Sequence, residues 1–90
     1  MKLFIVPWLG ASARQFRDAV TEYALDLKGR RAIASPDFEV TPAMRDEVWR
    51  RMAARGVDIP RSVFDEAEEM VSRFIAFDIA RYVFGGEAEF

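Results

Sequence analysis

The sequence contains neither cysteine nor histidine, and these two absences exclude more chemistry than any motif it carries. Without cysteine no disulfide staples the chain and no thiolate acts as nucleophile or metal ligand. Without histidine the Ser-His-Asp triad and the zinc-finger ligand sets are out of reach. A general base must therefore be Asp, Glu, Lys or Tyr. A metal, if the chain uses one, must be held by carboxylate and carbonyl oxygens, which favours magnesium, manganese or calcium. Glycine is scarce, at five residues, and forms no phosphate-cradling loop. No apolar run reaches the ~18 residues of a membrane span. A net charge of −2 with acids and bases interleaved gives no footprint for nucleic acid.

What is present describes one small folded unit. The chain has 90 residues, of which 51% are hydrophobic and 13% aromatic, too apolar for disorder and too short for a second domain. Residues 1–13, "MKLFIVPWLGASA", imitate a secretory signal. The segment is shorter than the ~15–30 residues such signals need, and Pro7 interrupts its apolar run. It reads as an apolar N-terminal arm or short strand packed on the body, or as a foreign leader.

Hydrophobic periodicity then predicts three helices. Phe16, Val20, Tyr23 and Leu27 repeat on one helical face from about Ser12 to Lys28, with Ser12 as N-cap and Gly29 as stop. Arg30 to Val40 reads as a connector with Phe38 tucked inward. In "TPAMRDEVWRRMAARGV" Thr41 caps, Pro42 takes the first helical position, and Met44, Val48 and Met52 form the buried stripe. Gly56 ends this helix in a left-handed conformation and Val57 folds back on the last turn.

The third helix is expected to begin between Pro60 and Val63, with Ser62 and Asp65 as an approximate capping box. It should run to Phe84 and stop at Gly85-Gly86, a length of up to ~37 Å at 1.5 Å per residue. Its apolar face includes Val63, Ala67, Met70, Val71, Phe74, Ile75, Ile79, Tyr82 and Val83. That face is wider than two short helices would cover. The expected architecture is therefore all-α, a three-helix unit that pools two small cores in a homodimer.

Residues 14–90 resemble the C-terminal helical segment of bacterial carboxyl-terminal processing peptidases, the tail-specific serine proteases. The likeness rests on "FRDAVTEYA" (Phe16 to Ala24), on Phe38, Val40 and Thr41, on Gly56-Val57, on Phe64 and Ala67, and on "IARYVFGGEAEF" (Ile79 to Phe90). In that family the catalytic serine and lysine and the peptide-binding PDZ domain lie upstream of this segment, and the chain continues past it into a further short helix. Nothing here corresponds to the catalytic pair: the lysines are Lys2 and Lys28, and Ser12, Ser35, Ser62 and Ser72 sit in no nucleophile motif. The resemblance implies a bacterial protein of the cytoplasm or cell envelope, and a packing role rather than proteolysis.

Three carboxylates are the candidates for chemistry. Asp78 sits among Val71, Phe74, Ile75 and Tyr82 at helical spacing, so its side chain points along the apolar face. A carboxylate buried alone is costly and becomes paired, neutralised or metal-bound. The structural reading pairs it with Arg14, Arg73 or Arg81, or with a tyrosine. The functional reading joins it to Glu22 and Asp26, which recur with Asp18 every four residues on the first helix. Carboxylates projecting inward from neighbouring helices build metal sites in bundles. An acidic ladder more often faces water or cations on the next element. "DEAEE" (Asp65 to Glu69) suits a helix N-terminus and offers Glu69 to Arg73. Trp8 and Trp49 read as core or interface anchors.

Two functions follow from these readings. The first is a non-catalytic helical packing and interaction module with no cofactor and a protein partner, most simply a second copy. The alternative is a minimal metal-dependent hydrolase of phosphoester type, with Asp78, Glu22 and Asp26 holding an oxygen-ligated divalent metal that activates water.

Overall fold

The computed structural model describes the backbone of residues 7–85 and the side chains of residues 13–85. Four α-helices, α1 (Pro7–Arg30), α2 (Pro42–Ala54), α3 (Arg61–Glu66) and α4 (Glu68–Ile79), are followed by a π-helical turn at Ala80–Phe84. There is no strand among the described residues, so the all-α expectation holds. Lys2 to Val6 of the expected arm, the side chains of Trp8 and Ser12, and Gly86 lie outside what the structure describes.

The long element is α1. It spans 24 residues, ~36 Å at the helical rise, because the helix already runs at Pro7 instead of starting after Ser12. Phe16, Ala19, Val20, Tyr23, Ala24 and Leu27 are all buried, at the spacing of one helical face. Ala19 and Ala24, both fully buried, let other elements approach the helix closely. The end of α1 departs from expectation. Gly29 lies within the helix, and Arg31 takes the left-handed conformation, φ 54°. The Ala32 amide donates to the Leu27 carbonyl at 3.0 Å, closing the turn beyond Gly29.

Local sequence accounts for α2 more fully. Thr41 Oγ1 accepts a hydrogen bond from the Met44 amide at 3.2 Å, and the Thr41 amide donates to Met44 Sδ at 3.4 Å. This is a capping box with a thioether where a carboxylate usually sits. At the other end Gly56 has φ 89°. Its amide donates to Ala53 O at 2.9 Å and the Val57 amide to Met52 O at 3.2 Å, the paired bonds of a Schellman motif.

The expected third helix is divided. Ala67, at φ −96° and ψ 23°, leaves the helical region and separates α3 from α4. Pro60 precedes α3 with no side-chain cap, so the Ser62–Asp65 capping box does not form; Asp65 pairs with Arg61 instead, at 2.9 Å. In the π-helical turn the Gly85 amide donates to the Ala80 carbonyl, five residues back, at 3.1 Å.

The core gathers one stripe from each long element. Val20 from α1, Val48 and Met52 from α2, and Val71, Ile75 and Ile79 from α4 are all fully buried. Phe64 of α3 closes one end, its ring 5.2 Å from that of Trp49. Ile33, Phe38 and Val40 of the connector pack half-buried against this core. One copy of the chain already buries the Val71–Ile75–Ile79 stripe. Phe74, Phe77 and Phe84 remain exposed.

Candidate functional site

Asp78 is the one buried charged residue among the described residues, 8% exposed. It lies on the last turn of α4, where the apolar spacing carries its carboxylate toward α1. Among the described residues it accepts no side-chain hydrogen bond and forms no salt bridge. Arg17 of α1 and Arg81 of the π-helical turn act on it only through their fields. Burial raises the Asp78 carboxyl above its ordinary range, and Arg17 and then Arg81 offset part of that rise. The expected salt bridge to Arg14, Arg73 or Arg81 is not formed: Arg73 is paired with Glu69 at 3.3 Å, and the guanidinium of Arg81 lies over the Tyr82 ring, 5.3 Å from its centroid.

Glu22 and Asp26 belong to a different constellation, centred on Arg51 of α2. Arg51 reaches Glu22 Oε1 at 3.0 Å, Asp26 Oδ2 at 3.4 Å and Glu47 Oε2 at 2.8 Å. Its guanidinium lies 5.2 Å from the centroid of the Tyr23 ring. Arg55 adds a second bond to Glu22 at 3.2 Å, and Arg30 one to Asp26 at 2.9 Å. The fork of an arginine suits this role, since its planar donors engage several carboxylates at once. Hydrogen bonds from Arg55 and Arg51 hold the Glu22 carboxyl below its ordinary value. Burial works against the charge on Arg51, but Glu47 and Glu22 outweigh it and hold its pKa above the ordinary value. Burial, reinforced by Glu47, raises the phenol of Tyr23.

The three candidate ligands are thus distributed over two places. Glu22 and Asp26 share Arg51, whereas the charges acting on Asp78 are cationic. No group of three or more acidic side chains is arranged to hold a metal among the described residues. The acidic ladder of α1 meets cations on the next helix, which its spacing already favoured. Asp18 stays exposed.

A shallow groove of about 760 Å³ opens between the connector and α3–α4, lined by Glu39, Val40, Arg45, Glu66, Glu69 and Ser72 among others. Asp78 does not line it. Arg45 spans it, donating to Ser72 Oγ at 3.2 Å and pairing with Glu68 at 3.4 Å. Most charges here are therefore engaged with one another. The pairing of Asp65 with Arg61 and of Glu69 with Arg73 accounts for the "DEAEE" run as helix-surface electrostatics.

Sequence reasoning did not single out Arg51 or Arg17. In the sequence Arg51 is one of three cations near the C-terminal end of α2, with Arg50 and Arg55. Its position four residues after Glu47 was the available signal, but only packing of α1 on α2 brings Glu22 and Asp26 to it. Comparison of the chain with protein-family models, with curated proteins and with solved structures finds no match.

Proposed function

We propose that the chain is a helical packing and interaction module whose working surface is the outer face of α4. The observation that carries this reading is the exposure of Phe74 and Phe77, each 44%, on a helix whose opposite stripe is fully buried. Phe74 is held in place by an edge-to-face contact with Phe16, with ring centroids 6.0 Å apart. Large apolar side chains presented together on an ordered helix mark binding surfaces more often than isolated exposed residues do. Aromatic residues are also enriched among the anchors that dominate interface energies. The sequence likeness to the helical tail of processing peptidases fits a packing role, and a homodimer is the simplest assembly such a face can serve.

A photo-crosslinking phenylalanine analogue at position 77, introduced into the chain in its own cells, tests this reading. A discrete protein adduct from position 77, with none from the exposed Ala53 of α2, is the expected result. No adduct from position 77 would dismiss the module.

The hydrolase reading rests on one observation, the buried carboxylate of Asp78 without a bonded partner among the described residues. Further oxygen ligands would have to come from a second copy or from outside the described residues. Native mass spectrometry with magnesium, manganese and calcium decides it: stoichiometric metal lost in Asp78→Asn favours the enzyme, and a metal-free chain removes it.

A further inference from the structure

Charge is segregated across α1. Its acids, Asp18, Glu22 and Asp26, run along one flank of the buried stripe, where Glu22 and Asp26 meet Arg51 of α2. At about 3.6 residues per turn Arg17 falls on the other flank, where its field reaches Asp78 of α4. Arg81 acts on the same carboxylate from the turn that continues α4. Both arginines are exposed, and neither enters a salt bridge among the described residues. By contrast Arg45, Arg50 and Arg51 of α2, Arg61 of α3 and Arg73 of α4 are all paired. Arg14 has the exposed Asp18 one turn along, so the uncompensated charge is that of Arg17 and Arg81.

The exposed aromatic residues lie at the same place. Phe16, next to Arg17, meets Phe74 edge to face, and Phe77 immediately precedes Asp78. The helix passes unbroken from α4 into the turn, with Ala80 at φ −59° and ψ −41°. Phe74, Phe77 and Arg81, at spacings of three and four residues, therefore share one side of it. The neighbouring charges add nothing to this side: Arg73, beside Phe74, is paired with Glu69, and Glu68 with Arg45. Asp78 is buried, and the turn contains no acid.

Resting on the interaction-module reading, we infer that this face takes an acidic, apolar segment of another protein, with apolar side chains on Phe74 and Phe77 and carboxylates on Arg17 and Arg81. Interfaces pair opposite potentials, and aromatic residues and arginine are enriched among the side chains that anchor them. An arginine fork is built to engage a carboxylate. The only acid beneath these two is buried and bonds to neither, so their donors are left for a ligand. The charges argue against the simplest occupant, a second copy. A twofold contact brings a patch onto itself and would set Arg17 and Arg81 against their own copies, and like charges across an interface are costly. A nucleic acid is disfavoured by the net charge of −2 on the whole chain.

The test is the photo-crosslink at position 77 of the full chain, with the crosslinked peptide sequenced by tandem mass spectrometry. The expected adduct is a protein segment in which acids outnumber bases beside apolar residues. Arg17→Gln and Arg81→Gln should each lower its yield about two- to fivefold, and the double change about tenfold, given the modest strength of exposed pairs. Arg31→Gln, beyond the far end of α1, should leave the yield unchanged. Both arginines act on Asp78, so thermal melts establish that each variant is folded. Arg17→Lys keeps the charge and should recover most of the yield, which separates recognition of charge from a general loss of structure. A neutral or basic crosslinked segment overturns the inference, as does a yield indifferent to the double change. A second copy of the chain, a nuclease-sensitive adduct or a lipid adduct also overturns it. Each of these leaves the module standing, whereas no adduct at all removes both.

Discussion

Arg51 on α2 and Glu22 on α1 meet at 3.0 Å across the helix–helix boundary, and the same guanidinium also engages Asp26 and Glu47. This is the principal polar tie between the two helices. With its side chain 20% exposed, Arg51 is shielded enough for geometry to matter, while Glu22 at 50% is open to solvent screening. Truncation to alanine removes donors from three carboxylates and the stacking on Tyr23, so Arg51→Ala should cost about 1–3 kcal/mol. Urea unfolding measures this directly. Arg51→Lys should recover only part of it, because an ammonium lacks the fork. A loss for Arg51→Ala within ~0.5 kcal/mol, the range of ordinary surface changes, would show the cluster to be idle.

Glu22 and Asp78 should pull the acid stability curve in opposite directions. The Glu22 carboxyl is held low by Arg55 and Arg51, so its contribution is present above the ordinary carboxylate range and is lost as pH falls through its depressed value. The Asp78 carboxyl is held high by burial. Its contribution is fully present below the ordinary value and is lost as pH rises through the raised one. Asp78→Asn removes that loss, so the variant should melt above the wild type at pH 7, with the gap closing on acidification toward pH 4. Thermal melts at the two pH values decide the matter. A variant that melts lower at pH 7 would mean that ionised Asp78 has a bonding partner after all.

The two glycines at helix ends should respond to alanine with opposite signs. Gly29 is helical and a Cβ there meets nothing within 4 Å, so Gly29→Ala should stabilise by ~0.5–1 kcal/mol. Gly56 has φ 89°, so Gly56→Ala should destabilise by about 1 kcal/mol despite equally open space. Arg31 occupies the left-handed region without being glycine, and Arg31→Gly should gain up to ~1 kcal/mol by relieving that conformation. Denaturant midpoints for the three variants check the set together. Identical signs for the two alanine changes would contradict the assigned helix ends.

The N-terminus of α2 offers a sharper local test. Thr41 Oγ1 is the acceptor for the Met44 amide, and Thr41→Ala should cost ~1 kcal/mol, the usual value of such a cap. Thr41→Ser should retain most of it. Hydrogen exchange at the Met44 amide should accelerate in the alanine variant and stay slow in the serine one.

How much of this was legible in advance differed from one helix to the next. For α2, Thr41 and Pro42 mark one end and Gly56 the other, each acting on residues within one turn of itself, so short-range chemistry specified both ends. For α1 the buried face was readable from Phe16, Val20, Tyr23 and Leu27. Its ends were not, because Pro7 can open a helix as well as break one and Gly29 tolerates a helical interior. The division at Ala67 left no mark either: alanine is the best helix former, and its departure from helical geometry is imposed where α3 and α4 both pack against the core. At the candidate site the unusual position of Asp78 was visible from spacing alone, but the absence of a bonded partner among the described residues was not.

The sequence by itself determined the all-α class, the apolar stripes and the exclusion of thiol and imidazole chemistry, because these depend on composition and on the fixed period of the helix. Which charges meet was decided only by tertiary structure. Glu22 and Asp26 are 25 or more residues from Arg51 along the chain, and no local rule links them; the packing of α1 on α2 does. The packing of α4 on the other helices placed Arg17 of α1 near Asp78 without contact, buried the Val71–Ile75–Ile79 stripe within a single copy, and left Phe74 and Phe77 facing outward.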